Sequence, residues 1–246
     1  MCTLVLAWQV FADTPVAVAA NRDEMVDRPS EPPKRLDDAP AVVAPRDSEA
    51  GGTWIGHNEH GLFVGITNRW TDVELAGERS RGLLTRDALR KESAEEAARF
   101  VENEVRDHEF DGFNLALADE TAALLLEWDG QLAVRNFQPG VQVVVNVGAS
   151  DDVRIPGERT EDGRQQAGNA AAVRTELQPE PGEQAGAWVE RAGDVIADHE
   201  YGVCIHRDRF GTRSSSLLTI GPKGSHYRFA DGPPCETDYR RVESQF

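Results

Sequence analysis

The chain begins with two apolar runs that a short polar turn separates. The first run covers residues 3–11 and the second covers residues 16–20. Residues 13–15, Asp-Thr-Pro, lie between them and are typical of turns. This pattern predicts an antiparallel hairpin whose return strand brings residues 21–23, Asn-Arg-Asp, back beside Cys2.

Neighbouring side chains of the return strand point in opposite directions, because side chains alternate between the two faces of a strand. Asn21 and Asp23 are therefore expected on one face and Arg22 on the other. Asp23 could then hold an ammonium group near Cys2, and Asn21 could orient it. The ordinary alternative for such a polar cluster is a solvated strand end with local ion pairs.

Apolar periodicity along the rest of the chain predicts further strands and helices. Strands are expected at residues 62–67, 113–118, 124–128, 132–137, 141–145, 202–206, 214–220 and 226–229. The four strands between residues 113 and 145 are expected to build a second sheet. Helices are expected at residues 82–90, after the capping box at Ser93, and at residues 160–177 and 183–199. Residues 28–47 are rich in proline and acidic residues, which predicts a long surface loop.

Cys2 directly follows Met1. If Met1 is removed, Cys2 carries the α-amino group, and one residue then holds both a thiol nucleophile and an amine of near-neutral pKa that can act as its base. No distant histidine would be needed. The alternative is that Cys2 is simply a small apolar residue at the start of a strand.

Length and hydropathy are those of a globular, enzyme-sized protein. With 246 residues, of which 39% are hydrophobic, the chain can form one large core, and we expect a single domain over residues 1–246. No apolar run approaches the roughly 18 residues of a membrane helix. Because no basic region precedes the first apolar strand, a signal peptide is not expected. The sequence therefore predicts a cytoplasmic protein without membrane insertion.

The charge is strongly acidic: 26 basic residues face 43 acidic ones, which gives a net charge of −17. Only Lys34, Lys91 and Lys223 are lysines, and the other basic residues are arginines. This composition resembles that of proteins from salt-loving archaea, in which surface carboxylates hold water and cations. Nucleic-acid binding is not expected, since no basic stripe is left.

Histidine and cysteine are too sparse to predict a metal site. His57 and His60 flank a turn, and Cys204 and His206 share the face of a predicted strand. Neither pair makes a set of three or four ligands, so no metal is expected. The three cysteines argue against a disulfide framework. No phosphate-binding glycine loop is present, so no nucleotide cofactor is expected either.

Several blocks of sequence, in order, resemble the NRDE family, also called the transport and Golgi organisation protein 2 family. Besides Met1-Cys2, they are Asn-Arg-Asp-Glu at 21–24, Gly-Gly-Thr-Trp-Ile-Gly at 51–56, Thr-Asn-Arg at 67–69, Ser-Arg-Gly at 80–82, Gly-Phe-Asn-Leu at 112–115 and Phe-Gly-Thr-Arg-Ser-Ser at 210–215. That family is similar in turn to the N-terminal nucleophile hydrolases, most closely to the choloylglycine hydrolase and penicillin V acylase branch. The resemblance implies an α+β fold, an αββα sandwich of two antiparallel sheets with the N-terminal cysteine at one edge.

Site residues follow from the same resemblance. It implies that Cys2 is the nucleophile and that Asp23 is the aspartate that contacts the N-terminal amine. Asn68 is similar to the asparagine that follows a Gly-Leu strand and donates to the oxyanion. Asn146 is similar to the second asparagine of that branch, and Arg213 to its late arginine.

One position departs from the acylase pattern. Those enzymes have an arginine three residues before the aspartate, where this chain has Ala20. Arg22 is expected on the opposite face, so Cys2 is predicted to lack the cation that would lower its pKa. The four polar residues implied above and Asn21 are nevertheless expected to converge in one cleft around Cys2.

Two functions remain open at this point. The first is a thiol hydrolase that acts on a linear amide or related acyl bond of a small molecule. The second is a non-catalytic carrier, in which the same cleft holds haem or an acyl lipid and Cys2 or His206 contacts it. Trp54 is expected to be an aromatic residue of the core or the rim rather than a dedicated platform for a ligand. Candidate binding residues are Asn21, Arg22, Trp54 and His206.

The acidic composition generates a first prediction. If the surface is adapted to a high-salt cytoplasm, the melting temperature should rise from dilute buffer to molar KCl, because salt screens the repulsion among carboxylates. Thermal unfolding across a KCl series measures this. A melting temperature that stays flat or falls would contradict it.

Overall fold

The strands form two antiparallel sheets. The structure is a computed structural model that describes residues 2–149 and 151–243, with the backbone alone at 37 and 38. One sheet has eight strands, in the order β12 (Asp152–Val153), β11 (Gly148–Ala149), β10 (Gly140–Val145), β1 (Thr3–Phe11), β2 (Thr14–Met25), β13 (Phe210–Gly221), β14 (Gly224–Ala230) and β15 (Arg240–Arg241). The other has seven, in the order β3 (Ser30–Asp38), β4 (Ala41–Asp47), β5 (Ile55–Asn58), β6 (Phe63–Asn68), β7 (Phe113–Ala118), β8 (Ala123–Trp128) and β9 (Leu132–Asn136).

Two pairs of helices cover the outer faces of the sheets. Helices α1 (Arg81–Ala88) and α2 (Ala94–Asp107) pack on the seven-stranded sheet, and α3 (Thr160–Glu176) and α4 (Ala185–Ala197) pack on the eight-stranded one. The result is the α+β sandwich with four layers, αββα, that the resemblance implies. Among the described residues, no helix combines the length and the apolar character needed to span a membrane.

The alternation of side chains in β1 divides the core into layers. Leu4, Leu6 and Trp8 belong to the cluster between the two sheets, whereas Val5 and Ala7 pack against α3 and α4. All five are buried. Full burial of a leucine or valine side chain stabilises the fold by roughly 1.5–3 kcal/mol. Because both faces of β1 are covered, a slip of one residue would exchange the two layers, and this fixes the register of the central hairpin.

The predicted hairpin and most of the predicted helices are confirmed. Strands β1 and β2 pair antiparallel, from Thr3 opposite Asn21 to Phe11 opposite Thr14. Helix α2 begins after Ser93, whose hydroxyl accepts a hydrogen bond from the amide of Glu96 at 3.2 Å. Helices α1, α3 and α4 lie within two residues of the predicted bounds.

Three expectations about the strands are wrong. Residues 28–47 form the hairpin β3–β4 rather than a loop. The prolines at 32 and 33 are tolerated because β3 is an edge strand. Strand β10 pairs with β1 in the eight-stranded sheet instead of extending the other one. Residues 202–206 are irregular apart from a single bridge between His206 and Gly211.

A close contact between two glycines fixes the start of α1. A Cβ atom on Gly52 would lie 2.1 Å from the carbonyl carbon of Gly82. The amide of Thr53 also donates to the carbonyl of Gly82 at 3.0 Å. Only glycine at position 52 therefore lets the segment before β5 touch the first turn of α1.

This contact gives a stability prediction. Gly52→Ala should destabilise the protein by about 1–3 kcal/mol, because the new methyl group must push α1 away from β5. Chemical denaturation at equilibrium measures the change. The control is Gly168→Ala on the exposed face of α3, where a Cβ has no neighbour within 4 Å. This variant should be neutral or up to about 1 kcal/mol more stable. Equal effects of both substitutions would contradict the account of this contact.

Candidate active site at the N-terminal end of the sandwich

The hairpin β1–β2 places Cys2 beside the end of the return strand. Thr3 pairs with Asn21, so the residues that follow on β2 run past Cys2. The thiol of Cys2 donates to the carbonyl oxygen of Asp23, with the sulfur 3.6 Å from it. The expectation that the polar block of β2 returns to Cys2 is therefore confirmed. Met1, whose removal would give Cys2 a free amine, lies outside the described residues.

Cys2 opens into a polar cavity of about 310 Å³. Asp23, Trp54, Ile66 and Asn68 also line it. The rest of the lining is dominated by charge, with the cations Arg22, Arg28, Arg79 and Arg81 and the acids Glu24, Asp47 and Asp111. A cavity with this lining suits a small polar ligand better than a purely apolar one.

Arg22 lies on the cavity side of β2. Its guanidinium stacks over the ring of Trp54 at 4.1 Å, and its Nη2 lies 3.5 Å from Asp47 Oδ2. The side chain is buried. Residues that lie opposite each other on paired strands point to the same face, and Arg22 lies opposite Cys2. Both side chains line the cavity. The expectation that Cys2 lacks a nearby cation is therefore wrong.

The environment of the Cys2 thiol acts on its pKa in both directions. Protein atoms crowd the sulfur, and this burial raises the pKa of Cys2 above its ordinary value. The negative charge of Asp23 raises it further, while the guanidinium of Arg22 opposes the rise. A thiol in this position needs a base close by before it can act as a nucleophile.

Asp23 is buried at the end of a chain of hydrogen bonds. The hydroxyl of Thr212 donates to Asp23 Oδ1 at 2.6 Å and accepts from the amide of Ile205 at 2.9 Å. Burial raises the pKa of Asp23 from 3.8 to about 6, and the hydrogen bond from Thr212 acts against this shift. The carboxyl group therefore titrates near neutrality, in the range expected for groups at functional sites.

Asn68 faces the cavity, and Asn146 supports it from behind. Asn68 ends β6 and has an exposed side chain that lines the cavity. The side-chain amide of Asn146 donates to the backbone carbonyl of Asn68 at 2.6 Å, and Gln166 donates to Asn146 Oδ1 at 2.9 Å. Asn146 is buried and does not line the cavity. It therefore positions Asn68.

Asn21 and Arg213 do not line the polar cavity at Cys2, although Asn21 and Cys2 both line a smaller neighbouring cavity. The side chain of Asn21 points to the other face of the sheet, where it donates to the carbonyls of Ile196 at 2.8 Å and Val203 at 3.0 Å. This confirms that Asn21 and Arg22 face opposite sides. Arg213 lies in the bulge of β13 between the partners of Asp23 and Arg22, outside the cavity lining.

Arg81 is a cavity residue to which the sequence analysis gave no role. It is the first residue of α1, and its Nη1 donates to the carbonyl of Gly112 at 2.8 Å. Burial lowers its pKa. Among the described residues, no carboxylate lies within ion-pair distance of its guanidinium. The Ser-Arg-Gly block at 80–82 was the signal in the sequence, since it is one of the blocks that carry the resemblance.

His206 lies away from the cavity, in a cluster with His199, Cys204 and Cys235. The ligand atoms of these four side chains lie within 4.8 Å of one another. The expectation that Cys204 and His206 are not part of a four-ligand set is therefore wrong. His199 lies just before Cys204 in the sequence, but Cys235 comes from a distant part of the chain, so the spacing of the sequence did not reveal the complete set.

The comparisons with known proteins agree with the fold. The chain belongs to the family described as "Transport and Golgi organisation 2", whose model matches residues 1–231. No curated protein sequence gives a significant match.

Solved structures share the architecture at low identity. Penicillin V acylase from Agrobacterium tumefaciens is similar with a TM-score of 0.56 and 17% identity, over 94% of this chain and 83% of that one. An N-acylethanolamine-hydrolyzing acid amidase ortholog from Caenorhabditis elegans is similar with a TM-score of 0.58 and 12% identity, over 88% of this chain and 92% of that one. These likenesses show that the chain shares its fold of two packed antiparallel sheets with both proteins.

The raised pKa of Asp23 predicts how its replacement affects stability with pH. The unfolded chain loses this proton near pH 3.8 and the folded one near pH 6, so burial of the carboxylate destabilises the wild type increasingly across this range. Asp23→Asn keeps an acceptor for Thr212 without the charge. Its stability relative to wild type should rise by up to about 3 kcal/mol between pH 4 and pH 7. Denaturation curves at each pH measure the difference, and a relative stability that falls with pH would contradict it.

Proposed function

We propose that this member of the Transport and Golgi organisation 2 family is a cysteine hydrolase that cleaves a linear amide or related acyl bond. The observation that carries the proposal is the placement of Cys2. Its thiol lies at the end of β1, against the carbonyl of Asp23, and opens into a cavity that Arg22 and Asn68 also line. A nucleophile, a buried acid and polar donors thus meet in one concave site.

The amine of Cys2 is the base in this proposal, once Met1 is removed. It takes the proton of the thiol, and the thiolate attacks the carbonyl carbon of the substrate. The same ammonium then gives its proton to the leaving amine, and a thioester on Cys2 remains. A water molecule, deprotonated by the amine, hydrolyses this thioester and releases the acid.

Asp23 orients the ammonium and stabilises its charge. The carboxylate is held on one side by Thr212, so its geometry is fixed before substrate binds. Its ionised form is the one that acts, and with a pKa of about 6 this form prevails at neutral pH and above. Activity should therefore depend on a carboxylate whose burial lowers the stability of the fold. Such a trade-off between activity and stability is common at active sites.

Asn68 and the cations of the cavity stabilise the negative charge that develops on the substrate. The side-chain amide of Asn68 is the proposed donor to the oxyanion, together with a backbone amide. Asn146 and Gln166 act only through Asn68, whose strand end they hold in place. Arg81, which makes no ion pair in the described part of the chain although the charge of Asp111 acts on it, is proposed to bind an anionic or carbonyl oxygen elsewhere on the substrate.

The charged lining supports the hydrolase over the alternative, a carrier for haem or an acyl lipid. Ile66 and Trp54 are the only large apolar side chains in the described lining of the cavity, and Arg22 covers the ring of Trp54. An acyl chain or a porphyrin would leave most of the charged groups desolvated and unpaired. The names of the two solved relatives, an acylase for penicillin V and an amidase for N-acylethanolamines, supply the first amides to assay, with N-acylethanolamines of short acyl chain because a long chain does not suit the charged lining.

The proposal predicts the behaviour of two variants. Cys2→Ser should lower kcat/KM for a cleaved amide by about 10³-fold or more, because the hydroxyl is a poorer nucleophile in this site. Insertion of alanine between Met1 and Cys2 keeps the thiol but turns its amine into an amide. This matched variant should lose activity as well, since the base is gone. Hydrolysis assays and thermal melts of both variants measure activity and folding.

The outcomes separate the two functions. A hydrolase forms a thioester on Cys2 that mass spectrometry detects after rapid quenching, and Cys2 reacts with iodoacetamide faster than Cys204 and Cys235. The labelling is done with a chelator present, so that no bound metal protects the other two thiols. Full activity in the inserted variant would refute the amine as base. Absence of any acyl adduct, with ligand binding unchanged in Cys2→Ser, would refute the hydrolase.

A further inference from the structure

We propose that His199, Cys204, His206 and Cys235 form a four-coordinate site for a zinc-class divalent cation. Two thiols and two imidazoles are a donor set that selects zinc and related transition metals over magnesium and calcium. The set lies outside the candidate active site, since none of its members lines the cavity at Cys2. Neither the hydrolase nor the carrier function requires it.

The distances within this Cys/His cluster are close to those of a tetrahedral centre. Cys204 Sγ lies 3.5 Å from Cys235 Sγ and 3.7 Å from His206 Nε2, and His206 Nε2 lies 3.1 Å from Cys235 Sγ. Bond lengths of about 2.3 Å to sulfur and about 2.0–2.1 Å to nitrogen place tetrahedral ligands roughly 3.3–3.8 Å apart. Three ligand atoms are thus nearly in place before any metal binds.

His199 completes the set from the side. Its ring stands edge-on to that of His206, with the two centroids 5.2 Å apart, and its ligand atom lies within 4.8 Å of the other three. The side chain of His199 is exposed, which leaves it room to turn towards the fourth position. Cys204 is buried, whereas the other three are exposed, so a cation can enter from solvent.

A disulfide between Cys204 and Cys235 explains the arrangement less well. The two sulfur atoms are 3.5 Å apart, well beyond a bond of about 2.05 Å, and both cysteines are free thiols. A disulfide would also leave two imidazoles gathered around it without a purpose. A metal uses all four side chains.

The metal would join three segments that the chain brings together only by folding. His199 begins a short turn after α4, Cys204 and His206 lie in the irregular link to β13, and Cys235 lies between β14 and β15. Because Cys235 is far from the other three ligands in the sequence, this cross-link stabilises the fold by the free energy of metal binding.

The same link reaches towards the candidate active site. Ile205, between two of the proposed ligands, donates its amide to the hydroxyl of Thr212 and its carbonyl accepts from the amide of Thr212 at 2.8 Å. Thr212 in turn holds Asp23. The metal is thus a structural support behind the buried carboxylate, and its ligands touch no reacting atom.

Metal content and spectroscopy test the proposal on the full chain. Protein purified without a tag that binds metal and then dialysed against zinc should retain one equivalent per chain by elemental analysis. Cobalt(II) in its place should give the intense visible bands of a tetrahedral site with thiolate ligands. Cys235→Ser and His206→Asn change exposed side chains, so both should fold yet lose the metal and these bands. His60→Asn, at an exposed histidine elsewhere, is the control and should keep both.

Stability gives a second readout. Removal of zinc by a chelator should lower the melting temperature of the wild type by about 5 °C or more, and should leave that of Cys235→Ser unchanged. Failure of the wild type to retain zinc or to give the cobalt spectrum would overturn the proposal. So would an intact mass lower by two hydrogens, which would show a disulfide, or full zinc content in both ligand variants. None of these results depends on turnover, so failure here leaves the hydrolase proposal standing.

Discussion

The antiparallel pairing of β1 with β2 is the constraint on which the site depends. Both strands are buried on both faces, so their register cannot slip by one residue without exchanging the layer between the sheets with the layer under α3 and α4. That register sets Thr3 opposite Asn21 and carries Arg22 and Asp23 past Cys2. Cys2, at the end of a strand, thereby gains a fixed carboxylate and a fixed cation without any flexible loop.

This geometry buries the charged groups of Asp23 and Arg22, and their burial lowers the stability of the fold. Asp23 is nearly inaccessible to solvent, and its pKa rises to about 6 because water is excluded. Arg22 is buried as well, but Trp54 and Asp47 accompany it. Buried charges of this kind tend to weaken a fold. They cluster at sites where catalysis requires an acid or base with a shifted pKa. The charges buried around Cys2 therefore do not serve the stability of the fold, and they suit the catalytic role proposed for Asp23.

Local patterns predicted the elements of this chain well, because alternation and turn chemistry act over a few residues. The hairpin at Cys2 and the cap at Ser93 are examples. What failed depended on pairing across long distances. Strand β10 pairs with β1, a partner that its own sequence does not specify. Residues 28–47, which were expected to be a loop, form an edge hairpin that tolerates prolines. The Cys/His cluster was missed for the same reason, because Cys235 joins it from a distant part of the chain.

The account rests on a free amine at Cys2, and the intact mass of the protein purified from its natural host tests this most directly. The account predicts a chain that lacks Met1. It also predicts that a brief reaction with a cleaved acyl substrate adds the mass of the acyl group, and that fragmentation places this group on Cys2. A chain that retains Met1 throughout, with no acyl group on Cys2, would contradict the central claim.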